Sequence, residues 1–240
     1  YGTSVHLDAI SVAEQLDALV RTPALERPAD QLLLTGLDAI DADAALRTAL
    51  GGITPLATTF PATGLGSQLS MVARMIAARN AVAAKRQVFF IGIGGFDNHD
   101  KLADNHPALL TQIGGALAAF DAAMLELGTS QQVTAFTASD FGRTLSSNGD
   151  GSDHGWGSFH FITGGAVRGQ RFFGQAPLPG NNGPDDVGQG RMLPTMAVDQ
   201  LAATLATWMG VASATDLATV VPGIGNYDVT TIDLICGLNV

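Results

Sequence analysis

The sequence predicts an α/β protein in which parallel strands alternate with helices. The unbroken apolar run at 88–93 has the length and composition of a strand that is covered on both faces, and the largely apolar run at 132–137 predicts a second buried strand. Between them, apolar residues recur at helical spacing from about 105 to 127, which predicts a long crossover helix. A helix that connects two strands in this way makes them parallel neighbours in one sheet.

The composition excludes several classes of protein. Of the 240 residues, 46% are apolar and 14% are charged, so the chain can bury a sizeable core and is not disordered. The net charge is −10 and only Lys85 and Lys101 are lysines, which argues against nucleic acid as a partner because phosphate backbones need clustered basic residues. No apolar run reaches the roughly 18 residues of a membrane-spanning helix. The single Cys236 cannot form an internal disulfide.

The N-terminal part of the chain predicts helices and a linker. Residues 1–50 are rich in Ala and Leu at helical spacing, and residues 51–66 carry the Gly and Pro of a loop. An amphipathic helix follows from about Leu69 and ends near Lys85. We therefore expect a helical segment with a linker at 1–64 and an α/β domain at 65–240, or one continuous domain over 1–240.

The C-terminal part predicts shorter elements. Residues 137–156 form a central loop after the second strand, and residues 159–163 and 171–173 predict a hairpin. Residues 175–190 are rich in Pro, Gly and Asn and predict a surface loop. A helix at 196–209 stops at Gly210, and the tail is expected to pack irregularly around Leu217, Val221 and Ile232.

Two loops that directly follow the apolar strands carry Asp and His together. Asp97 and His99 lie two residues apart, so an extended chain points both side chains the same way, and Asp153 and His154 are adjacent in a loop that can bend. His160 could supply another imidazole. Oxygen and imidazole ligands without thiolate suit a divalent ion such as Zn, Mn or Ca. The sequence predicts a metal site at the carboxyl edge of the sheet, where open α/β folds bind their ligands.

Asp140 and Arg143 lie in the central loop beside these residues. The planar fork of Arg143 matches a tetrahedral oxyanion such as phosphate or sulfate, and Asp140 could orient a metal ligand or bind directly. These residues also have simpler, structural interpretations. Asp97, Asn98 and Asp153 could cap helices or hold turns through bonds from side chain to backbone. Asp140 and Arg143 could form a structural ion pair, and His160 could be a satisfied core or strand histidine.

Five stretches of the chain together resemble a known family. They are LGSQLSMVARMIAA at 65–78, VFFIGIGGFDNHD at 88–100, LLTQIGGALAAFDAAMLELG at 109–128, VTAFTASDFGRTLSSNGDGSDHGWGSFHFITGGAVRG at 133–169 and MLPTMAVDQLAATLATWMGV at 192–211. In this order, over about residues 65–227, they are similar to the DUF1501 family of secreted bacterial proteins, in the alkaline phosphatase and sulfatase superfamily.

The resemblance implies an alkaline phosphatase-like core, a mostly parallel sheet with helices on both faces. It also implies two divalent ions bridged by substrate, with a Ser, Thr or modified residue as nucleophile. By this comparison Asp97 and His99 resemble ligands of one ion, with His160 as a third, and Asp153 and His154 resemble the pair that holds the other. The resemblance further implies export to the periplasm or the outside of the cell.

The chain departs from the family pattern in three places. Phe96 stands where the family has Trp, and Asp140 stands where it has the longer Glu. The family's upstream region, with a further Asp-bearing strand end and the nucleophile, has no counterpart before residue 65. Two explanations are open, a fragment whose partner is a missing N-terminal segment of the same protein and a reduced member of the family that cannot do the chemistry, and we favour the fragment.

Two functions remain open at this point. One is an exported, metal-dependent hydrolase of phosphate or sulfate esters that acts on a small-molecule or polymer substrate. The alternative is a secreted binding or surface protein with a non-catalytic version of the same fold.

Overall fold

The computed structural model describes residues 41, 43–81, 85–228 and 232–236. The chain divides into two compact units, Tyr1–Pro55 with Arg74–Lys85 and Leu56–Ala73 with Arg86–Val240. The helices predicted before residue 41 lie outside the described residues. The predicted domain boundary after residue 64 stays a prediction.

In the smaller unit, residues 43–51 form helix α1, where the sequence predicts a helix. Arg47 pairs with Asp43 one turn earlier at 2.7 Å, an i,i+4 contact that supports an exposed helix. The N–H of Gly52 closes the last turn by donating to the carbonyls of Thr48 and Ala49.

Helix α2 spans Gly64–Ala77 and buries one apolar stripe. The stripe consists of Leu65, Leu69, Val72, Ala73 and Ile76. This spacing of three and four residues places all five side chains on one face, which confirms the predicted amphipathic helix. The helix ends at Ala77 rather than near Lys85, because the N–H of Arg79 turns back to the carbonyl of Ile76.

Helix α3 spans Leu102–Glu126 and confirms the predicted long helix, although no pair of parallel strands flanks it among the described residues. It begins at Leu102, before the predicted start near residue 105, so Pro107 lies inside the helix. At its start, the carbonyl of Asp150 accepts the N–H of Leu102 at 3.0 Å. It ends where predicted, with Gly128 at φ +65°. Its buried residues are Ala116, Phe120, Ala123 and Met124.

By length and composition alone, α3 could cross a membrane, and 22% of its most apolar window is buried. The core helix of a soluble protein passes the same test, so this is weak evidence. The expectation that the chain does not span a membrane stays a prediction.

The strands in the described residues form two antiparallel pairs. Strand β1 (Ala135–Phe136) pairs with β4 (Ile162–Thr163), and β2 (Gly142–Ser147) pairs with β3 (Ser152–Gly155). Helices and strands are both present, as predicted, but no parallel pair occurs between the residues that the structure describes. The chain returns directly beside β1 after the central loop, and a direct return produces an antiparallel neighbour.

Two predicted strands differ from the structure. Residues 88–93 form no ladder with the described residues, and the side chain of Phe90 is 95% exposed rather than covered. Residues 171–173 carry no strand, so the hairpin predicted with 159–163 is wrong. Strand β4 pairs with β1 instead, where the N–H of Thr137 donates to the carbonyl of Phe161 at 2.9 Å.

The C-terminal helices and tail build the largest buried cluster in this part of the chain. Helix α4 (Val198–Trp208) lies where a helix is predicted, and Gly210 follows at φ +98°. Leu201, Leu205 and Trp208 of α4 pack against a cluster whose buried members are Ala166, Ile232, Leu234 and Ile235. Helix α5 (Ala214–Val220) continues into a second cluster of Ala203, Val221 and Ile224. Leu217, Val221 and Ile232 pack into these clusters as predicted, but Leu217 does so from a helix and not from an irregular segment.

Candidate metal centre

The segment 137–156, which the sequence predicts as a loop, contains a β-hairpin. Strands β2 and β3 place Arg143 opposite His154 and Gly142 opposite Gly155, with the tight turn 148–151 between them. The hairpin packs directly against the turn at 96–99. A Cβ on Gly151 would collide with the carbonyl of His99, and the carbonyl of Asn98 lies almost as close. Glycine at this position therefore lets the two stretches touch backbone to backbone.

Three side chains from these stretches meet at the surface. The Oδ1 atom of Asp97 lies 2.7 Å from Nε2 of His154 and 3.0 Å from Nε2 of His99. The candidate ligand atoms of the three residues all lie within 4.8 Å of one another. Their side chains are 60%, 46% and 48% exposed, in the order Asp97, His154, His99, so the cluster is open to solvent.

Arg143 holds the backbone behind this cluster. Its Nη1 donates to the carbonyl of Ser152 at 2.6 Å, and its Nη2 donates to the carbonyl of Phe96. The same Nη2 lies 3.3 Å from Oδ1 of Asp97, and the side chain is only 18% exposed. The guanidinium therefore ties the hairpin to the turn at 96–99 and places a positive charge against Asp97.

Two further side chains fix the ligands in place: Phe141, which the sequence analysis missed, and Asn98, which it considered as a residue that holds the turn. The ring of Phe141 stacks on the ring of His154, with centroids 4.0 Å apart and planes 9° apart. Asn98 is 6% exposed, and its Nδ2 donates to the carbonyl of Gly95 while its Oδ1 accepts from Asn105. The two-residue spacing of Asp97 and His99 gives no sign that the residue between them is the buried one.

Asp153 lies behind the cluster rather than in it. Its Oδ1 is 3.4 Å from Nδ1 of His99, on the side of that ring opposite to Asp97, and it accepts from Nδ2 of Asn148 at 3.0 Å. A carboxylate in this position favours the tautomer of His99 that leaves Nε2 free to bind a metal. The structure therefore brings together one residue of the second predicted pair and both residues of the first.

The remaining predicted residues lie apart from the cluster. The carboxylate of Asp140 has no contact with Arg143 or any other described residue, so the ion pair considered between these two residues is not formed. His160 is exposed, its Nδ1 lies 3.4 Å from Oγ1 of Thr137, and partial desolvation lowers its pKa. The catalytic and metal-binding roles of these residues stay predictions.

The electrostatics of Asp97 favour its ionised form. The hydrogen bond from His154 is the largest cause that lowers the pKa of this carboxyl, and the nearby charges of His99, His154 and Arg143 lower it further. Partial desolvation acts in the opposite direction but is outweighed. An anionic oxygen is thus available at the centre of the cluster.

The donor set fits some divalent ions better than others. Two donors at about 2.0–2.2 Å from one Zn²⁺ lie about 3–3.5 Å apart, close to the 3.0 Å and 2.7 Å that separate Asp97 from the two imidazoles. One carboxylate with two imidazoles suits Zn or Mn, whereas Ca²⁺ takes six to eight oxygens. The fit therefore disfavours the Ca alternative of the sequence analysis.

A cleft of about 460 Å³ lies where the first turn of α3 meets the β2–β3 hairpin. Lys101, Asp104, Ser147 and Ser152 are among its lining residues, but none of the three clustered ligands lines it. Because the donor atoms define the chemistry, the exposed cluster rather than the cleft is the candidate site.

Comparisons with known proteins identify a family and nothing narrower. No curated protein and no solved structure matches this chain. A family model described as "Protein of unknown function (DUF1501)" matches residues 26–220, which is most of the chain and includes every clustered side chain. The chain therefore belongs to the DUF1501 family.

Proposed function

We propose that this chain binds one divalent ion through Asp97, His99 and His154 and acts as a metal-dependent hydrolase of phosphate or sulfate esters. The observation that carries the proposal is the convergence of one carboxylate oxygen and two imidazole nitrogens within 4.8 Å. These donors come from two stretches 57 residues apart in sequence. A turn that needed only local capping would not require this convergence.

The proposal has one ion where the family resemblance implies two. The resemblance assigns Asp97 and His99 to one ion and His154 to another, whereas the candidate ligand atoms of all three lie within 4.8 Å of one another, which supports a single ion. A single ion held by three protein ligands would keep a coordination position open, as in catalytic zinc sites. When bound, the ion would supply Lewis acidity and a water of lowered pKa.

The protein's own residues have distinct parts in this proposal. Asp97 supplies a charged ligand, Phe141 orients the ring of His154, and Asp153 orients the ring of His99. Three of the five N–H groups of Arg143 donate to two carbonyls and Asp97 and its side chain is only 18% exposed, so we assign it a positioning role instead of oxyanion binding.

The finer parts of the proposal depend on the resemblance described above. They are membership of the alkaline phosphatase and sulfatase superfamily, its parallel sheet, export to the periplasm or cell exterior, and a further N-terminal segment that completes the site. Each of them is compatible with an open, solvent-exposed set of three ligands.

The alternative is a secreted binding or surface protein with a non-catalytic metal site. One observation favours it: within the described ranges, no Ser or Thr hydroxyl contacts Asp97, His99 or His154. An attacking hydroxyl would have to come from elsewhere, or a metal-bound water would have to take its place.

The two functions separate in one assay. The protein is loaded with Zn²⁺ or Mn²⁺ and incubated with p-nitrophenyl phosphate and p-nitrophenyl sulfate. The hydrolase proposal expects turnover that requires added metal and disappears in Asp97→Ala, with Asp140→Ala as the matched control that keeps it. Metal binding without turnover of either ester supports the binding protein instead, and turnover that survives in Asp97→Ala contradicts the proposed site.

A further inference from the structure

Residues 88–93, here called the edge segment, have the features of a strand without a neighbour. From 87 to 94 the residues alternate between half-buried and exposed, the period of an extended strand. Val88 and Phe90 on the outer side are 85% and 95% exposed. Such large apolar side chains are rarely left in water side by side.

Gln68 of α2 satisfies one edge of this segment at a single residue. The N–H of Gly92 donates to Oε1 of Gln68 at 3.1 Å, and the carbonyl of Gly92 accepts from Nε2 at 2.9 Å. In an extended chain the N–H and C=O of one residue point to the same edge, and those of the next residue point to the opposite edge. The backbone groups of Phe89, Ile91 and Ile93 therefore form the other edge, and none of them bonds to a described residue.

This open edge has none of the usual protection. Natural proteins guard free edges with charged residues, Pro or bulges. Residues 87–96 contain no charged residue and no Pro. An unguarded edge of this kind is suited to accept another strand.

We propose that the edge segment is an interface with a second copy of this chain, formed by antiparallel pairing about a two-fold axis at Ile91. This pairing sets Phe89 opposite Ile93 and each Ile91 opposite its own copy. On the outer face it sets Phe90 opposite Gly92 and Val88 opposite Gly94, so each large side chain covers a glycine. A two-fold interface uses the same surface on both copies, as most homodimers do.

The charges that flank the segment favour the antiparallel arrangement. Arg86 precedes it, and Asp97 and Asp100 follow it. Antiparallel pairing brings the basic end of one copy toward the acidic end of the other, whereas parallel pairing would bring like charges together. Apart from the charge of Asp97, this inference uses no residue of the metal site, and it goes beyond the proposed function.

The first test is sedimentation velocity of the full chain over a range of concentrations. The wild-type chain is expected to dimerise, and Phe90→Lys is expected to raise the dimer dissociation constant by a factor on the order of 100, because it removes the ring that covers Gly92 of the other copy and sets two like charges diagonally across the two-fold axis. Phe172→Lys is the matched control, since that ring is 90% exposed outside the segment, and it should leave the constant unchanged. Circular dichroism checks that both variants fold.

The second test measures the register. In a Cys236→Ser background, Ile91→Cys should form an intermolecular disulfide under mild oxidation, because the two copies of residue 91 face each other. Phe89→Cys should not, since it faces residue 93 of the other copy. A wild-type chain that sediments as a monomer at every concentration overturns the proposal, and so does a dimer whose affinity is the same in Phe90→Lys or whose cross-linking is equal in both cysteine variants.

Discussion

Two neighbouring stretches of the chain, the edge segment at 88–93 and the turn at 96–99, differ in burial from what their composition would suggest. The edge segment is apolar, yet Phe90 is 95% exposed and only Gly92 has its backbone groups bound by a described residue. The turn is polar, yet Asn98 is 6% exposed and Arg143 binds the carbonyl of Phe96.

The turn is therefore held by specific hydrogen bonds. Burial of the apolar side chains of the edge segment, in contrast, needs a surface that the described residues do not supply. Apolar side chains gain free energy from any cover of the right shape, because hydrophobic burial has no direction. Buried polar groups need particular partners at particular distances. The second requirement is what gives the candidate metal centre its geometry.

The largest effect is expected where the hairpin touches the turn. Gly151→Ala would push a methyl group into the carbonyls of His99 and Asn98, so we expect a loss of about 3 kcal/mol or more in the free energy of unfolding. Gly114→Ala is the control: this glycine lies within α3 with nothing within 4 Å of an added Cβ. It should gain about 0.5–1 kcal/mol. Urea unfolding measures both, and equal stabilities would show that the close approach is absent.

Removing the Arg143 side chain, which ties the hairpin to the turn, should lower the free energy of unfolding by less than a steric clash does. Arg143→Ala leaves the carbonyls of Ser152 and Phe96 without their donor, for which we expect about 2 kcal/mol of destabilisation. Arg143→Lys should restore little of it, because an ammonium cannot reach two carbonyls in a fixed fork. If Lys restores full stability in urea unfolding, the guanidinium acts only as a charge.

Within the cluster, a change behind the ligands should act on metal affinity with little effect on the fold. Asp153→Asn removes the carboxylate beside Nδ1 of His99, and outer carboxylates of this kind typically contribute 10- to 100-fold in affinity. Asp140→Asn removes the same charge from a residue that contacts none of the ligands and should leave the affinity unchanged. Calorimetric titration with Zn²⁺ measures both affinities. Equal losses of Zn²⁺ affinity in the two variants would show that only the net charge near the site matters.

The smallest effect concerns an anchor outside both stretches. Glu126 at the end of α3 accepts hydrogen bonds from Oγ1 and N–H of Thr58 and from the N–H of Ala57, and these bonds lower its pKa below 4.5. Its stabilising contribution is therefore complete above about pH 4.5 and is lost as the pH falls through the lower folded-state pKa. Thermal unfolding from pH 6 to pH 3 should show a smaller acid destabilisation in Glu126→Gln than in the wild type. Parallel pH curves would contradict this role.

The sequence predicted the helices well because their signals are local. The stripe of Leu69, Val72 and Ile76 and the stop at Gly128 are read from spacing alone. The strands were predicted less well, since the same apolar run at 88–93 fits a covered strand and an open one, and only long-range pairing distinguishes them. The sequence also marked Asp97, His99 and His154 as candidate ligands, and the structure brings them together, whereas the assignment to separate ions came from the family resemblance and stays a prediction.

The positions that hold these ligands were beyond the reach of the sequence. Phe141 lies beside His154 only because β2 and β3 pair in a register that sets Arg143 against His154. Asp153 and His154 are adjacent in the chain, yet alternation along β3 turns their side chains to different neighbours. Spacing alone cannot separate a ligand from the residue that orients it.

The most direct test of the single-ion site is calorimetric titration of the metal-free protein with Zn²⁺, in the wild type and in His99→Ala and His154→Ala. The geometry predicts one ion per chain, and it predicts that each variant loses the same binding event. Two ions per chain, with His99→Ala removing one and His154→Ala removing the other, would contradict the single site and restore the two-ion arrangement.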